Sequence, residues 1–158
     1  AAFQGKVVVE PGRSLVADCG ILVSRINSIK KAQPQPFVII DAAMNDLMRP
    51  ALYQAQHVII PAMQREQHST RTYDVVGPIC ESTDTFARNY PLDKELAEGE
   101  LLALLDTGAY GAVMSSAYNS RNIIAEVLVN DDQATLIRQP IDQQTLLDFE
   151  RQCPMIIN

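Results

Sequence analysis

Cys80 and Glu81 stand side by side in Gly77-Pro78-Ile79-Cys80-Glu81-Ser82-Thr83-Asp84, directly after a strand-like run. A thiol held near a carbon atom can pass a proton to it, and a carboxylate beside it can bind an ammonium group. The plain alternative for Cys80 is a small buried hydrophobe. In a continuing strand, alternation would send Cys80 and Glu81 to opposite faces. A chain that stops and turns after Gly77-Pro78 lifts that restriction.

Three further groups could bind anions. In Glu10-Pro11-Gly12-Arg13, Gly12 allows a left-handed turn or a close approach to a ligand, and Arg13 offers a planar fork for a carboxylate. In Arg49-Pro50-Ala51-Leu52-Tyr53, i, i+4 spacing places a guanidinium and a phenol on one side of a helical turn. Pro50 puts Arg49 at the helix entry. In Gly108-Ala109-Tyr110-Gly111, flanking glycines let Tyr110 project at an unusual angle, with a hydroxyl able to bond a phosphate. Each also has a bland reading: a surface turn with a solvated arginine, a half-buried tyrosine, an aromatic packed over a β-turn.

The elements that must position these groups are mostly β. Strands are expected at Lys6–Val9, Phe37–Asp41, His57–Ile60, Thr72–Val76, Leu101–Leu105, Ile123–Leu128 and Ala134–Arg138, with another in the long apolar stretch Leu15–Ile29. Pro and Gly separate many of them. The spacing predicts an all-β fold, a sandwich or Greek-key barrel, with two short helical insertions. One insertion is Asn45–Gln54, capped by Asn45 or Asp46. The other is Gln143–Gln152, with Leu146, Leu147 and Phe149 as its apolar side. Tyr90–Gly99, polar and interrupted by Pro91, reads as a surface loop.

At 158 residues with 47% hydrophobic and 20% charged content, the chain can form one domain with a real core. A net charge of −6 argues against a nucleic-acid partner. No apolar run approaches the ~20 residues of a membrane helix. Cys19, Cys80 and Cys153 have no C-x-x-C spacing, which points to free thiols in a reducing cytoplasm rather than to disulfides or zinc. His57 and His68 lack ligand-spaced partners and are expected in surface or loop roles, so no metal site is expected.

Taken in order, Glu10–Arg13, Asp41–Tyr53, Gly77–Asp84, Gly108–Gly111 and Met114–Arg121 resemble the C-terminal half of diaminopimelate decarboxylases. The likeness runs from Gly5 to about Glu150, and Cys80-Glu81-Ser82-Thr83-Asp84 is its most specific part. Related ornithine and arginine decarboxylases usually carry Cys-Asp in place of Cys-Glu. The resemblance implies a C-terminal β domain of a two-domain enzyme. Residues 1–14 would be the remnant of a preceding (β/α)8 barrel and 15–158 the β domain proper. It also implies a homodimer with shared active sites and the cofactor pyridoxal 5'-phosphate. By motif match, Glu10, Pro11, Gly12, Arg13 and Tyr110 would border the cofactor. Arg13, Arg49, Tyr53, Glu81 and Tyr110 would bind the substrate, meso-diaminopimelate, and Cys80 would be the catalytic proton donor. Glu81 and Cys80 would reach the partner subunit's site. The chain's lysines, Lys6, Lys30, Lys31 and Lys94, lack the context of the cofactor-bearing lysine. That lysine is therefore expected in the barrel, and the chain alone is expected to be inactive. Two alternatives remain open: a decarboxylase of another basic amino acid, and a binding or regulatory module that kept the fold without catalysis.

Overall fold

The structure, a computed structural model, describes residues 3–63 and 69–152. His68 and Cys153 lie outside the described residues. The elements run β1 (Leu22–Lys30), β2 (Phe37–Ile40), α1 (Arg49–Tyr53), β3 (Ile59–Pro61), β4 (Thr70–Val76), β5 (Thr85–Asp93), β6 (Leu101–Leu104), β7 (Glu126–Asn130), β8 (Gln133–Arg138) and α2 (Gln143–Arg151). Short 3-10 turns occur at Arg13–Leu15, Ala17–Cys19, Ala112–Met114 and Tyr118–Ser120.

The main sheet has the order β3-β6-β1-β2-β4-β5. Its pairs are antiparallel except β2 with β4. β1 organises it. Residues Leu22–Arg25 pair with β6, and Ile26–Lys30 pair with β2 across an irregularity between Ile26 and Ser28. Such a break in register bends a strand and increases its twist. The sheet curls until its two outer strands approach, where the Ile59 amide of β3 donates to the Tyr90 hydroxyl of β5 at 2.9 Å. The result is a nearly closed β-barrel, in line with the all-β expectation.

Alternation decides which side chains fill it. Leu22, Ser24 and Ile26 of β1 point inward and their neighbours outward. Leu22 and Ile26 meet Val38, Ile40, Val75, Phe86, Leu92, Leu102 and Leu104 in one core. Burying each large aliphatic or aromatic side chain is worth roughly 1.5–3 kcal/mol. Ser24 is the polar exception. Its hydroxyl donates to Asp41 Oδ1 at 2.6 Å and accepts from the Ala42 amide at 2.9 Å, fixing the path of the chain as it leaves β2.

Three expectations need correction. Lys6–Val9 pairs with no strand among the described residues: its β-branched side chains favour an extended chain, but no neighbouring strand supplies a ladder. Tyr90–Gly99 is not wholly a loop, since β5 runs through Tyr90, Pro91 and Leu92 to Asp93. β5 is the edge strand beside β4 among the described strands, and an edge tolerates proline because one side needs no donor. α1 begins at Arg49, and neither Asn45 nor Asp46 caps it. Asp46 Oδ2 instead accepts from the Ala43 amide at 2.8 Å, within the turn that precedes the helix.

Strand bounds elsewhere shift modestly: Ile123 makes only an isolated bridge to Ile141, and β7 starts at Glu126. The β7–β8 hairpin lies outside the main sheet and leaves Val127, Leu128, Val129, Leu136 and Ile137 exposed. α2 forms where expected, with the Asp142 side chain accepting from the Thr145 amide at its N-terminus. Leu147 and Phe149, expected on its apolar side, are exposed. His57 precedes β3 but is buried, its Nδ1 donating to the Leu105 carbonyl at 2.8 Å.

Candidate active site

Four of the sequence-predicted residues meet in one open cleft of about 470 Å³: Arg13, Arg49, Tyr53 and Tyr110, with Ala55 and Met114 completing the walls. This is an ordinary size for a small-ligand site. Backbone contacts bring them together. The amides of Thr107 and Gly108 donate to the carbonyls of Gly20 and Ala17, both at 2.9 Å, stitching the glycine-rich turn to the segment that follows Arg13. A side chain at Gly108 would overlap the Val16 carbonyl, and one at Gly111 the Thr107 carbonyl. Tyr110 itself adopts φ 56°, the left-handed region that the flanking glycines were expected to permit. Its hydroxyl comes within 3.7 Å of where a Cβ on Gly12 would sit.

Gly12 has φ −115°, so the anticipated left-handed turn is not what glycine serves there. Glu10 and Pro11 are exposed and do not line the cleft. α1 places Arg49 and Tyr53 one turn apart, with Pro50 in its first turn. Gln54, in the left-handed region at φ 55°, ends the helix, and its amide caps the Pro50 carbonyl at 3.0 Å. Among the described residues, no ion pair engages Arg13 or Arg49. Two uncommitted guanidiniums and two phenols on an open cleft suit an anionic ligand, phosphate or carboxylate.

Cys80 and Glu81 are not part of this cleft. They ride a turn between β4 and β5, so the strand does stop after Gly77-Pro78. Cys80 is exposed and free, which rules out its reading as a core residue. Glu81 Oε1 accepts from the Thr83 amide at 3.1 Å and the Thr83 hydroxyl at 3.0 Å, with Ser82 at 3.3 Å. Glu81 Oε2 accepts from the Tyr118 hydroxyl, at 3.4 Å. The Thr83 donors, chiefly its amide, hold the Glu81 carboxyl below its ordinary range, so it is an anion at neutral pH.

Several contributors to the site carried no role in the sequence reading. Ala55 and Met114 are apolar and gave no chemical signal. The backbone at Tyr118 is held by Asn45, fully buried, whose Nδ2 donates to the carbonyls of Ser116 at 3.0 Å and Tyr118 at 2.7 Å. Asp84, the last residue of the distinctive pentad, is buried. Burial pushes its carboxyl above the usual range, against the lowering effect of two amides and Arg121.

Residues 14–108 match the family model of the pyridoxal-dependent decarboxylase C-terminal sheet domain. The diaminopimelate decarboxylase of Zymomonas mobilis is 45% identical over 148 residues, covering 92% of this chain and 34% of that protein. The diaminopimelate decarboxylase of Pseudomonas aeruginosa is 47% identical, covering 94% of this chain and 35% of that protein. Among solved structures, diaminopimelate decarboxylase from Helicobacter pylori complexed with L-lysine superposes with a TM-score of 0.81 at 41% identity, over 90% of this chain and 34% of that one. The chain spans about a third of the length of the curated relatives it matches. With a sheet of this topology and a family match over more than half its residues, the chain belongs to the pyridoxal-dependent decarboxylases, as their C-terminal sheet domain.

Proposed function

We propose that this domain completes the active site of a diaminopimelate decarboxylase, which converts meso-2,6-diaminopimelate to L-lysine and CO2. The observation that carries the reading is the convergence of Arg13, Arg49, Tyr53 and Tyr110 on one cleft, with no carboxylate among the described residues holding either arginine. Diaminopimelate bears an amino acid group at each end. Its distal carboxylate fits Arg13, Arg49 and Tyr53, and its distal ammonium fits Glu81. A substrate ending in an ammonium alone would leave the arginines unmatched, which favours diaminopimelate over ornithine.

Pyridoxal phosphate, held by a lysine of a preceding barrel, would supply the electron sink for the charge left when CO2 departs. Gly12, Arg13 and Tyr110 are suited to border its phosphate and ring, with Glu10 and Pro11 in the adjoining segment. The protein's own tasks are then to fix the distal end of the substrate and to deliver a proton to carbon, for which the exposed Cys80 thiol is suited. Because Cys80 and Glu81 lie outside the cleft, we assign them to the partner subunit's site in a homodimer. Free thiols at Cys19 and Cys80 fit a cytoplasmic enzyme. Among the described residues no helix is long and apolar enough to cross a membrane.

The test is CO2 release by the full-length protein containing this chain, loaded with pyridoxal phosphate and offered meso-diaminopimelate, ornithine and arginine separately. Preference for diaminopimelate is expected. Equal or better use of ornithine would overturn the substrate assignment, and no turnover of any would favour a non-catalytic module.

A further inference from the structure

We propose that Asp84 is the positioning residue of the Cys80–Glu81 turn, the group that sets where Glu81 meets the substrate's ammonium. The inference rests on the reading of Glu81 given above and adds a residue through which that role is exercised. Asp84 is 3% exposed. Its two oxygens reach in different directions. Oδ2 accepts from the Ile79 amide at 3.1 Å, immediately before Cys80. Oδ1 accepts from the Met44 amide at 2.7 Å, in the segment that leads into α1. One side chain thus closes the turn internally and fastens it to the body of the domain.

The backbone agrees. Gly77 N–H donates to the Asp84 carbonyl at 2.9 Å, closing the base of the loop, and Asp84 N–H donates to the Glu81 carbonyl at 3.1 Å. The loop also packs directly on the carboxylate, for a Cβ on Gly77 would overlap both of its oxygens. Chemistry explains why the group is an acid. Two N–H donors must be satisfied from separate sides, and a carboxylate is acceptor-only on both oxygens, whereas an amide would turn an N–H toward one of them. An unmatched buried donor would then push the turn away from Met44. Thr83, bound to Glu81 at one end of the turn, also touches Met44, its hydroxyl lying 3.7 Å from Sδ. A shift of the turn therefore moves the Glu81 carboxylate with it.

The experiment is a double-mutant cycle in the full-length enzyme, with Asp84→Asn, Glu81→Gln and the pair, assayed on meso-diaminopimelate. Asp84→Asn alone should lower kcat/KM by roughly tenfold or more, mostly through KM, because ground-state and transition-state binding are lost together. On the Glu81→Gln background the same change should raise KM by less than about twofold, since that effect acts through a group already disabled, and any remaining loss should lie in kcat, where displacement of Cys80 on the same turn is felt. An equal rise in KM on both backgrounds would show that Asp84 acts on something other than Glu81, overturning the inference while leaving the Glu81 reading intact. Full activity of Glu81→Gln alone would overturn both. If Asp84→Asn does not fold, Gly77→Ala displaces the carboxylate from the other side and enters the same cycle with the same criteria.

Discussion

The cleft and the Cys80–Glu81 turn hold their functional groups in opposite ways. In the cleft, backbone contacts do the positioning: glycine turns stitched to 17–20, and a proline-started helix that carries Arg49 and Tyr53. Among the described residues, no ion pair commits the guanidiniums of Arg13 and Arg49. In the turn, the Asp84 side chain ties the loop to the domain through the Ile79 and Met44 amides, and Thr83 holds Glu81 with its amide and hydroxyl. The two acids of the turn differ accordingly. Burial raises the Asp84 carboxyl, whereas local donors lower that of Glu81. A cationic pocket needs open guanidiniums to accept different parts of a ligand, whereas a single carboxylate aimed at one ammonium needs a fixed orientation.

The largest expected effect tests whether these regions serve different sites. Arg49→Ala in the full-length enzyme should lower kcat/KM by about a hundredfold, as for a lost buried charge partner. Mixing that variant with Glu81→Gln should then restore roughly a quarter of wild-type activity per site, because half the dimers are mixed and half of their sites are whole. Demonstrated subunit exchange without recovery would show that the cleft and turn of one chain serve the same site.

Glu81→Gln alone should lower kcat/KM for diaminopimelate roughly 10–100-fold, the range for a lost charged hydrogen bond, while leaving pyridoxal phosphate affinity unchanged. A parallel loss of cofactor affinity, followed by the cofactor's absorbance, would place Glu81 on the wrong ligand.

Tyr118→Phe sharpens the contrast further. The Tyr118–Glu81 bond is long at 3.4 Å, and Glu81 keeps its Thr83 donors. A loss of only about two- to threefold in kcat/KM is expected. A loss above roughly tenfold would mean that the phenol contacts substrate directly.

The smallest effect concerns stability. Asp46, like Asp84, has its carboxyl raised chiefly by desolvation. Between the unfolded value of 3.8 and the higher folded value, the folded state binds more protons, so this contribution to stability falls as pH rises. Wild type should therefore gain stability relative to Asp46→Asn as pH drops from neutral toward the unfolded value. Urea midpoints at both ends of that range measure it, and an unchanged difference would contradict a raised carboxyl.

What the sequence determined by itself is chemical and local. β-branched runs marked most strands, because a pleated surface with one buried face selects them. The i, i+4 spacing of Arg49 and Tyr53 placed both on one side of a turn, and two glycines predicted an unusual backbone at Tyr110. These depend on neighbours along the chain. Tertiary structure alone decided the rest. Pro91 sits within a strand because β5 is an edge. Asn45 bonds a distant loop, at Ser116 and Tyr118, and Asp46 closes its own turn at Ala43, so neither caps the helix; for Asn45 a long-range contact outweighs the local cap. The convergence of Arg13 with Tyr110, and the burial of Asp84 between two loops, follow from pairings between distant segments. Their energies depend on which backbone groups fold brings within hydrogen-bonding reach, and composition and periodicity carry no record of that.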